Sequence, residues 1–216
     1  MIRILKKPGF YGILDSAYVP RTLWIDKCQA LIEGGATLVQ LRAKQQTHCE
    51  RLALLEAILP LFQQPNAPQL IVNDDLELAL KYPNLGLHVG QDDTPVAAAR
   101  AALGSDRILG LSTHSLQQAA GAIQAANDLS YFAVGPVFAT QTKPDYTPVG
   151  LELVAAVAQL QPPIPWYCIG GIDEDNLRQV TARGAHNVVS VSAVLNAEDT
   201  AAAVARIVQA LKGLAQ

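Results

Sequence analysis

Eight apolar, strand-like runs alternate with eight helix-favouring stretches along 216 residues, a rhythm that predicts a single-domain (β/α)8 TIM barrel near the lower size limit of that fold. Two further observations point the same way. The runs are continuously apolar, as parallel strands buried on both faces require. No linker or low-complexity segment breaks the rhythm, so residues 1–216 read as one domain. A doubly wound open sheet is the competing architecture, but it usually stops at about six strands.

Taken in order, GFYGILD opens the chain as the first strand and is followed by a helical stretch over 22–34. LVQLRAK is the second strand, with a helix over 47–64, and QLIVND the third, with a short helix over 75–82 that ends near Pro83. GLHVG and 95–103, RILGLSTH and 115–126, and YFAVGPVF and 150–160 continue the pattern. IPWYCIGGI and 174–183, then NVVSVSAV and 197–213, complete it. The strands are rich in Val, Ile, Leu and aromatic residues, whereas Ala, Leu, Gln and Glu dominate the helical stretches. Asp173 and Asn196 are placed as N-caps of the last two helices.

Half of the residues are apolar and 16% are charged, the balance of one well-filled core. A net charge of -3 leaves no electrostatic footprint for nucleic acid or an anionic membrane. MIRILKKPGF carries basic residues without the apolar stretch of a signal peptide, and no run is long enough to span a bilayer. Cys28, Cys49 and Cys168 are too scattered for a disulfide framework or a zinc site. The expectation is a soluble cytoplasmic protein with no nucleic-acid or membrane partner.

In this fold chemistry belongs at the C-terminal ends of the strands. The second strand ends VQLRAK, where Gln40, Arg42 and Lys44 lie two apart and so share one face, with Val39, Leu41 and Ala43 on the other. Barrel interiors are normally filled by branched apolar side chains, so three long polar ones read as a donor row for a polyanion such as a diphosphate. The plainer alternative is a strand that ends early and leaves Lys44 in solvent. The third and fourth strands end in the aspartate pairs of LIVNDD and HVGQDD. Asp75 and Asp92 suit the first turns of the following helices, where a negative charge is favoured by up to about 1 kcal/mol. Asp74 and Asp93, if about 4 Å apart, repel by roughly 4 kcal/mol at an effective dielectric of about 20. A cation between them removes the conflict, and oxygen ligands without a nearby Cys or His set favour Mg²⁺, whose shell a diphosphate would complete.

The fifth strand ends GLSTHS. Ser112 and His114 share a face but lack an orienting carboxylate, so Ser112 reads as a hydroxyl that hydrogen-bonds a substrate beside a structural histidine, not as a nucleophile. His88 reads as a satisfied core histidine, and His48 and His186 as surface residues. Gly135-Pro136 interrupts the sixth strand, and the long loop after it, holding Thr140, Thr142 and Lys143, is a candidate lid. In the last two strand ends, CIGGIDEDN and VVSVSAV, Gly170-Gly171 lets the backbone approach an oxyanion and Ser192 adds a hydroxyl. The strand ends therefore predict two anion sites: a cationic row with a metal on strands two to four, and a monophosphate cradle on strands seven and eight. That layout suits an enzyme joining a diphosphate substrate to a monophosphate substrate as pyrophosphate leaves.

In order and spacing, GGATLVQLRAK, NDD followed by HVGQDD, GLSTHS, GPVFATQTK, GGIDEDN and VVSVSAV closely resemble the thiamine-phosphate synthase family over nearly the whole chain. The resemblance implies a transferase that condenses 4-amino-2-methyl-5-pyrimidinylmethyl diphosphate with a carboxylated thiazole ethyl phosphate, giving thiamine phosphate, pyrophosphate and CO2. It implies Gln40, Leu41, Arg42, Ala43, Lys44, Asn73, Ser112 and Lys143 at the pyrimidine diphosphate, and Asp74 and Asp93 as Mg²⁺ ligands. Thr140, Gln141, Thr142, Gly171, Val191 and Ser192 are implied at the thiazole phosphate. The implied mechanism is ionisation first, with Arg42, Lys44, Lys143 and the metal stabilising the leaving group. Two departures stand out. Ala139 occupies a position where the family usually has Pro, and KYPNLGLHVG is a less typical approach to its strand. A related thiazole tautomerase, with His114 as proton shuttle, leaves the VQLRAK row and both carboxylates without a task. A non-catalytic phosphate-binding barrel is the remaining alternative, although none of the charged site residues is missing here.

Overall fold

Apolar residues on both faces of every run can be buried only if helices cover one face and the barrel closes over the other. The computed structural model, which describes residues 9–140 and 147–213, has this arrangement. The strands are β1 (Phe10–Asp15), β2 (Leu38–Arg42), β3 (Gln69–Asn73), β4 (Gly86–Val89), β5 (Leu109–Thr113), β6 (Tyr131–Val134), β7 (Trp166–Ile169) and β8 (Val188–Ser190). They close a parallel barrel in sequence order, with β8 returning to β1 through the registers Phe10↔Val188 and Gly12↔Ser190. The helices are α1 (Trp24–Glu33), α2 (His48–Ile58), α3 (Leu76–Lys81), α4 (Val96–Leu103), α5 (Leu116–Gln124), α6 (Gly150–Gln159), α7 (Leu177–Thr181), α8 (Ser192–Leu195) and α9 (Thr200–Gly213). Among the described residues no helix is long and apolar enough to cross a membrane.

Local chemistry explains where the elements differ from expectation. α2 starts on a reciprocal capping box between Thr47 and Glu50. It passes into a tighter 3₁₀ turn over Leu59–Phe62, where Pro60 cannot supply the helical N–H. The run VVSVSAV is a strand only to Ser190; Ser192 to Leu195 turn into α8, which the sequence reading had placed in the strand. Asn196 is consequently the C-cap of α8 and not an N-cap. The last helix begins later, where Asp199 Oδ1 accepts the Ala202 N–H at 2.9 Å. Asp173 accepts from the amides of Asp175 and Asn176, bracing a turn that precedes α7 instead of capping the helix itself.

The inward-facing positions are not purely aliphatic. Tyr11, Tyr131 and Tyr167 meet edge-to-face with ring centroids 5.4 to 5.6 Å apart, a geometry favoured by the aromatic quadrupole. Gly110 lies opposite Tyr131 in register, and a Cβ there would stand 2.2 Å from the Tyr131 ring, so the glycine makes room for that side chain. This aromatic layer forms a floor, and the strand ends above it form the walls of a cavity.

Candidate active site at the barrel mouth

The C-terminal mouth holds a cavity of about 610 Å³ lined from nearly every strand. Gln40 and Arg42 from β2, Asn73 from β3, His88 from β4 and Ser112 from β5 form one wall. Thr140, Gly170, Gly171, Val191 and Ser192 lie across from them, on the β6, β7 and β8 loops. A second pocket of about 500 Å³ adjoins at Asn73 and is lined by Leu41, Ala43, Lys44, Asp74 and Asp75, together with His48 and Arg51.

The VQLRAK row divides between these two spaces. β2 ends at Arg42, one residue pair earlier than the reading through Lys44 required. Gln40 is buried and Arg42 nearly so, its guanidinium paired at 2.5 Å with Asp15, whose carboxylate is buried at the end of β1. Lys44 leaves the strand and is half-exposed, but it does not stand alone in solvent: its Nζ lies 2.9 Å from Asp74. Leu41 and Ala43 point away from the barrel axis and are buried, contributing apolar surface to the second pocket.

The aspartate pairs resolve unequally. Asp75 is the N-cap of α3, accepting the Leu78 N–H at 2.9 Å, and it also receives Arg51 at 2.9 Å. Asp92 takes no such role: it is exposed, and α4 begins four residues later behind Pro95. A Pro at the cap position leaves no side chain to hold the helix N–H groups, so the expected first-turn charge is absent. Asp74 sits in the left-handed backbone region (φ 61°) and accepts from Asn73 Nδ2 at 2.6 Å. Asp93 accepts the Gly90 N–H at 2.7 Å. Burial, and then a hydrogen bond to the Asp74 carboxyl, push the Asp93 carboxyl above its ordinary value. The two carboxyl groups thus lie within reach of one another. Among the described residues no cluster of three or more His, Cys, Asp or Glu gathers into a metal cage. As a donor set, two carboxylates without a nearby Cys or His set fit Mg²⁺, which rarely uses an all-protein cage, better than a transition metal.

Ser112 differs from expectation in its partner. His88 Nε2 lies 2.9 Å from Ser112 Oγ, whereas the His114 ring is engaged by the Gly135 carbonyl at 2.5 Å. His88, read from sequence as a plain core residue, therefore lines the cavity and touches a candidate site hydroxyl. Asp15 and Tyr11 were the residues missed, and the contact of His88 with Ser112 was not foreseen. Their signal was parity, since each falls on the inward-facing phase of its strand.

The glycine pair after β7 has a double reason. Both residues have positive φ, and a Cβ on Gly171 would stand 2.6 Å from the Ala139 carbonyl. The backbones themselves are stitched together, with Val137 N–H donating to Ile169 and Phe138 N–H to Gly170. Asn176 completes the brace by donating to the Gly171 carbonyl at 2.7 Å. The β7 loop is thus held beside Thr140, and Ser192 opens α8 on the same rim. Gln141, Thr142 and Lys143 lie outside the described residues.

Fold and site define a class: a (β/α)8 barrel enzyme with cationic and acidic groups on one side of its mouth and a glycine-lined loop rim on the other. The model of the family described as thiamine monophosphate synthase matches residues 10–194. A thiamine-phosphate synthase from an Arthrobacter species is 41% identical over 220 residues, covering 92% of each chain. One from a Synechococcus species is 42% identical over 183 residues, covering 85% of this chain and 51% of that longer protein. Among solved structures, thiamine phosphate pyrophosphorylase from Pyrococcus furiosus superposes with a TM-score of 0.85 at 27% identity, covering 97% of this chain and 98% of its own. The chain belongs to the thiamine monophosphate synthase family.

Proposed function

We propose that the mouth binds a pyrimidinylmethyl diphosphate and a thiazole ethyl phosphate together and joins them into thiamine phosphate, releasing pyrophosphate, and CO2 when the thiazole is carboxylated. The observation that carries this reading is the opposition of two different anion-suited walls across one cavity, in a chain of this family. Gln40, Asn73 and Ser112 face the pyrimidine, and Arg42, Lys44 and Lys143 the diphosphate, with Leu41 and Ala43 shaping the adjoining pocket. Thr140, Gln141, Thr142, Gly171, Val191 and Ser192 receive the thiazole phosphate.

Bond breaking is dissociative in this reading. The C–O bond to the diphosphate breaks first, and the pyrimidine's amino group delocalises the positive charge left on the exocyclic methylene. The thiazole nitrogen then forms the new C–N bond. No side-chain nucleophile is needed. The chain's contribution is orientation of two bound reactants and fixed charge where the leaving group develops its own. Arg42 is well placed for this because Asp15 holds its fork against the wall of the cavity. Asp74 and Asp93 would hold Mg²⁺, which when bound supplies further neutralisation of diphosphate charge.

Calorimetric titration with inorganic pyrophosphate tests the reading without turnover. Binding that requires Mg²⁺ and disappears in Asp93→Ala is expected. Binding that is equal in EDTA would remove the metal from the account, and absence of binding would favour a proton-transfer barrel that handles no diphosphate.

A further inference from the structure

Five polar side chains run beneath the cavity in one hydrogen-bonded line: Gln40, Tyr11, Tyr131, His88 and Ser112. The successive separations are 2.6, 2.9, 3.0 and 2.9 Å. The line crosses the barrel from β2 to β5 by way of β1, β6 and β4. Its middle member, Tyr131, is fully buried and does not line the cavity.

Counting hydrogens restricts what such a line can do. Burial drives the Tyr11 and Tyr131 phenols well above their ordinary range, so each keeps its one proton. A neutral imidazole has one N–H, and each of the four links needs one hydrogen. With both buried phenol hydrogens kept inside the line, only two arrangements satisfy all the links, and they run in opposite directions. Gln40 selects between them. Its amide nitrogen, which can only donate, faces the Tyr11 oxygen. Tyr11 therefore donates to Tyr131, Tyr131 donates to His88 Nδ1, and His88 Nε2–H donates to Ser112 Oγ. The Ser112 hydrogen is left outside the line, on a residue that borders the cavity.

We propose that Tyr11, Tyr131 and His88 are positioning residues that carry the orientation of the Gln40 amide to Ser112, fixing its hydroxyl as a donor toward a ring-nitrogen acceptor of the bound heteroaromatic substrate. The nature of that substrate rests on the synthase reading; the direction of the line does not. The stacking of His88 on Tyr131, with centroids 5.5 Å apart and planes 23° apart, holds the imidazole in the pose the line requires.

The direct test is the tautomer of His88, read by long-range ¹H–¹⁵N correlation at pH 8 without substrate and assigned by loss of its signals in His88→Gln. Wild type should show the Nε2–H form. Gln40→Glu supplies only acceptors facing Tyr11 and should turn the line round, giving the Nδ1–H form. Tyr131→Phe should cut the connection, so that adding Gln40→Glu no longer moves the tautomer. Tyr131→Phe should also raise the KM for the pyrimidine diphosphate about tenfold, the worth of one well-placed hydrogen bond, while leaving the thiazole KM in place. An Nδ1–H tautomer in wild type, a tautomer indifferent to Gln40→Glu, or equal changes in both KM values would each overturn the proposal. Expected tautomers in a protein that releases no pyrophosphate would leave the line standing and refute the synthase reading instead.

Discussion

Asp93→Asn should make the metal-free protein more stable and the enzyme nearly inactive. The two effects share one cause. Asp93 is pressed by burial and by the Asp74 carboxyl, both of which raise its pKa in the folded state. A raised carboxyl pKa destabilises the fold as pH climbs past the unfolded value, and the penalty is complete once the pH exceeds the folded value. Asparagine keeps the shape: its oxygen can accept the Gly90 N–H, now made at 2.7 Å, and its nitrogen can donate to Asp74. Asp93 is partly exposed, so solvent screening reduces the gain to about 0.5–1 kcal/mol, or about 1–4 °C in Tm for a chain of this size. Thermal unfolding in EDTA at pH 8 measures it, and repetition at lower pH should show the gain fading through the ordinary carboxylate range. Adding Mg²⁺ should raise the Tm of wild type and not of the variant, while turnover of the variant falls by orders of magnitude. A variant less stable than wild type at pH 8, or an equal gain below pH 4, would refute the shared-site reasoning.

Three other substitutions probe separate parts of the site. Asp15→Ala leaves the Arg42 guanidinium without its buried partner; unfolding by urea should show a loss of about 3 kcal/mol, and calorimetry a weaker pyrophosphate affinity. Ser192→Ala should chiefly raise the thiazole phosphate KM in initial-rate assays, and an effect confined to the diphosphate substrate would mean that the two walls are exchanged. Gly110→Ala pushes a methyl into the Tyr131 ring and should cost about 1–3 kcal/mol of stability by denaturant titration, with an unchanged midpoint counting against the packing described.

The barrel was legible because eight apolar runs, each bounded by a helix-favouring stretch, leave few other ways to bury both strand faces. Positions that depend on what a neighbouring strand supplies were less so. Gln40 and Arg42 were correctly placed on one inward face, but the buried carboxylate that holds Arg42 comes from β1, where inward parity marked Asp15 and nothing local marked its partner. Lys44 was placed in the strand because the polar alternation continues to it; pairing with β3 stops at Leu41, and the chain turns away soon after. Asp75 caps the following helix as expected, while Asp74, in αL backbone, pairs with Lys44. In the second pair, the helix starts at Val96, within one residue of the expected position, with Pro95 at its cap, too far along the chain for Asp92 to serve its first turn. α8 was invisible to periodicity: SVSAV has the composition of a strand, and one turn of helix is too short to register a 3.6-residue period. His88 is the buried, satisfied histidine expected, but its two polar partners lie 24 and 43 residues away in sequence, so its contact with Ser112 was not legible.

The measurement bearing most directly on the account is pyrophosphate release by the purified protein, given the pyrimidine diphosphate and a thiazole phosphate, in Mg²⁺ and then in EDTA. Stoichiometric release with thiamine phosphate formation, dependent on both substrates and on the metal, is expected. Absence of release under saturating substrates and Mg²⁺, in a protein that is folded by circular dichroism, would contradict it.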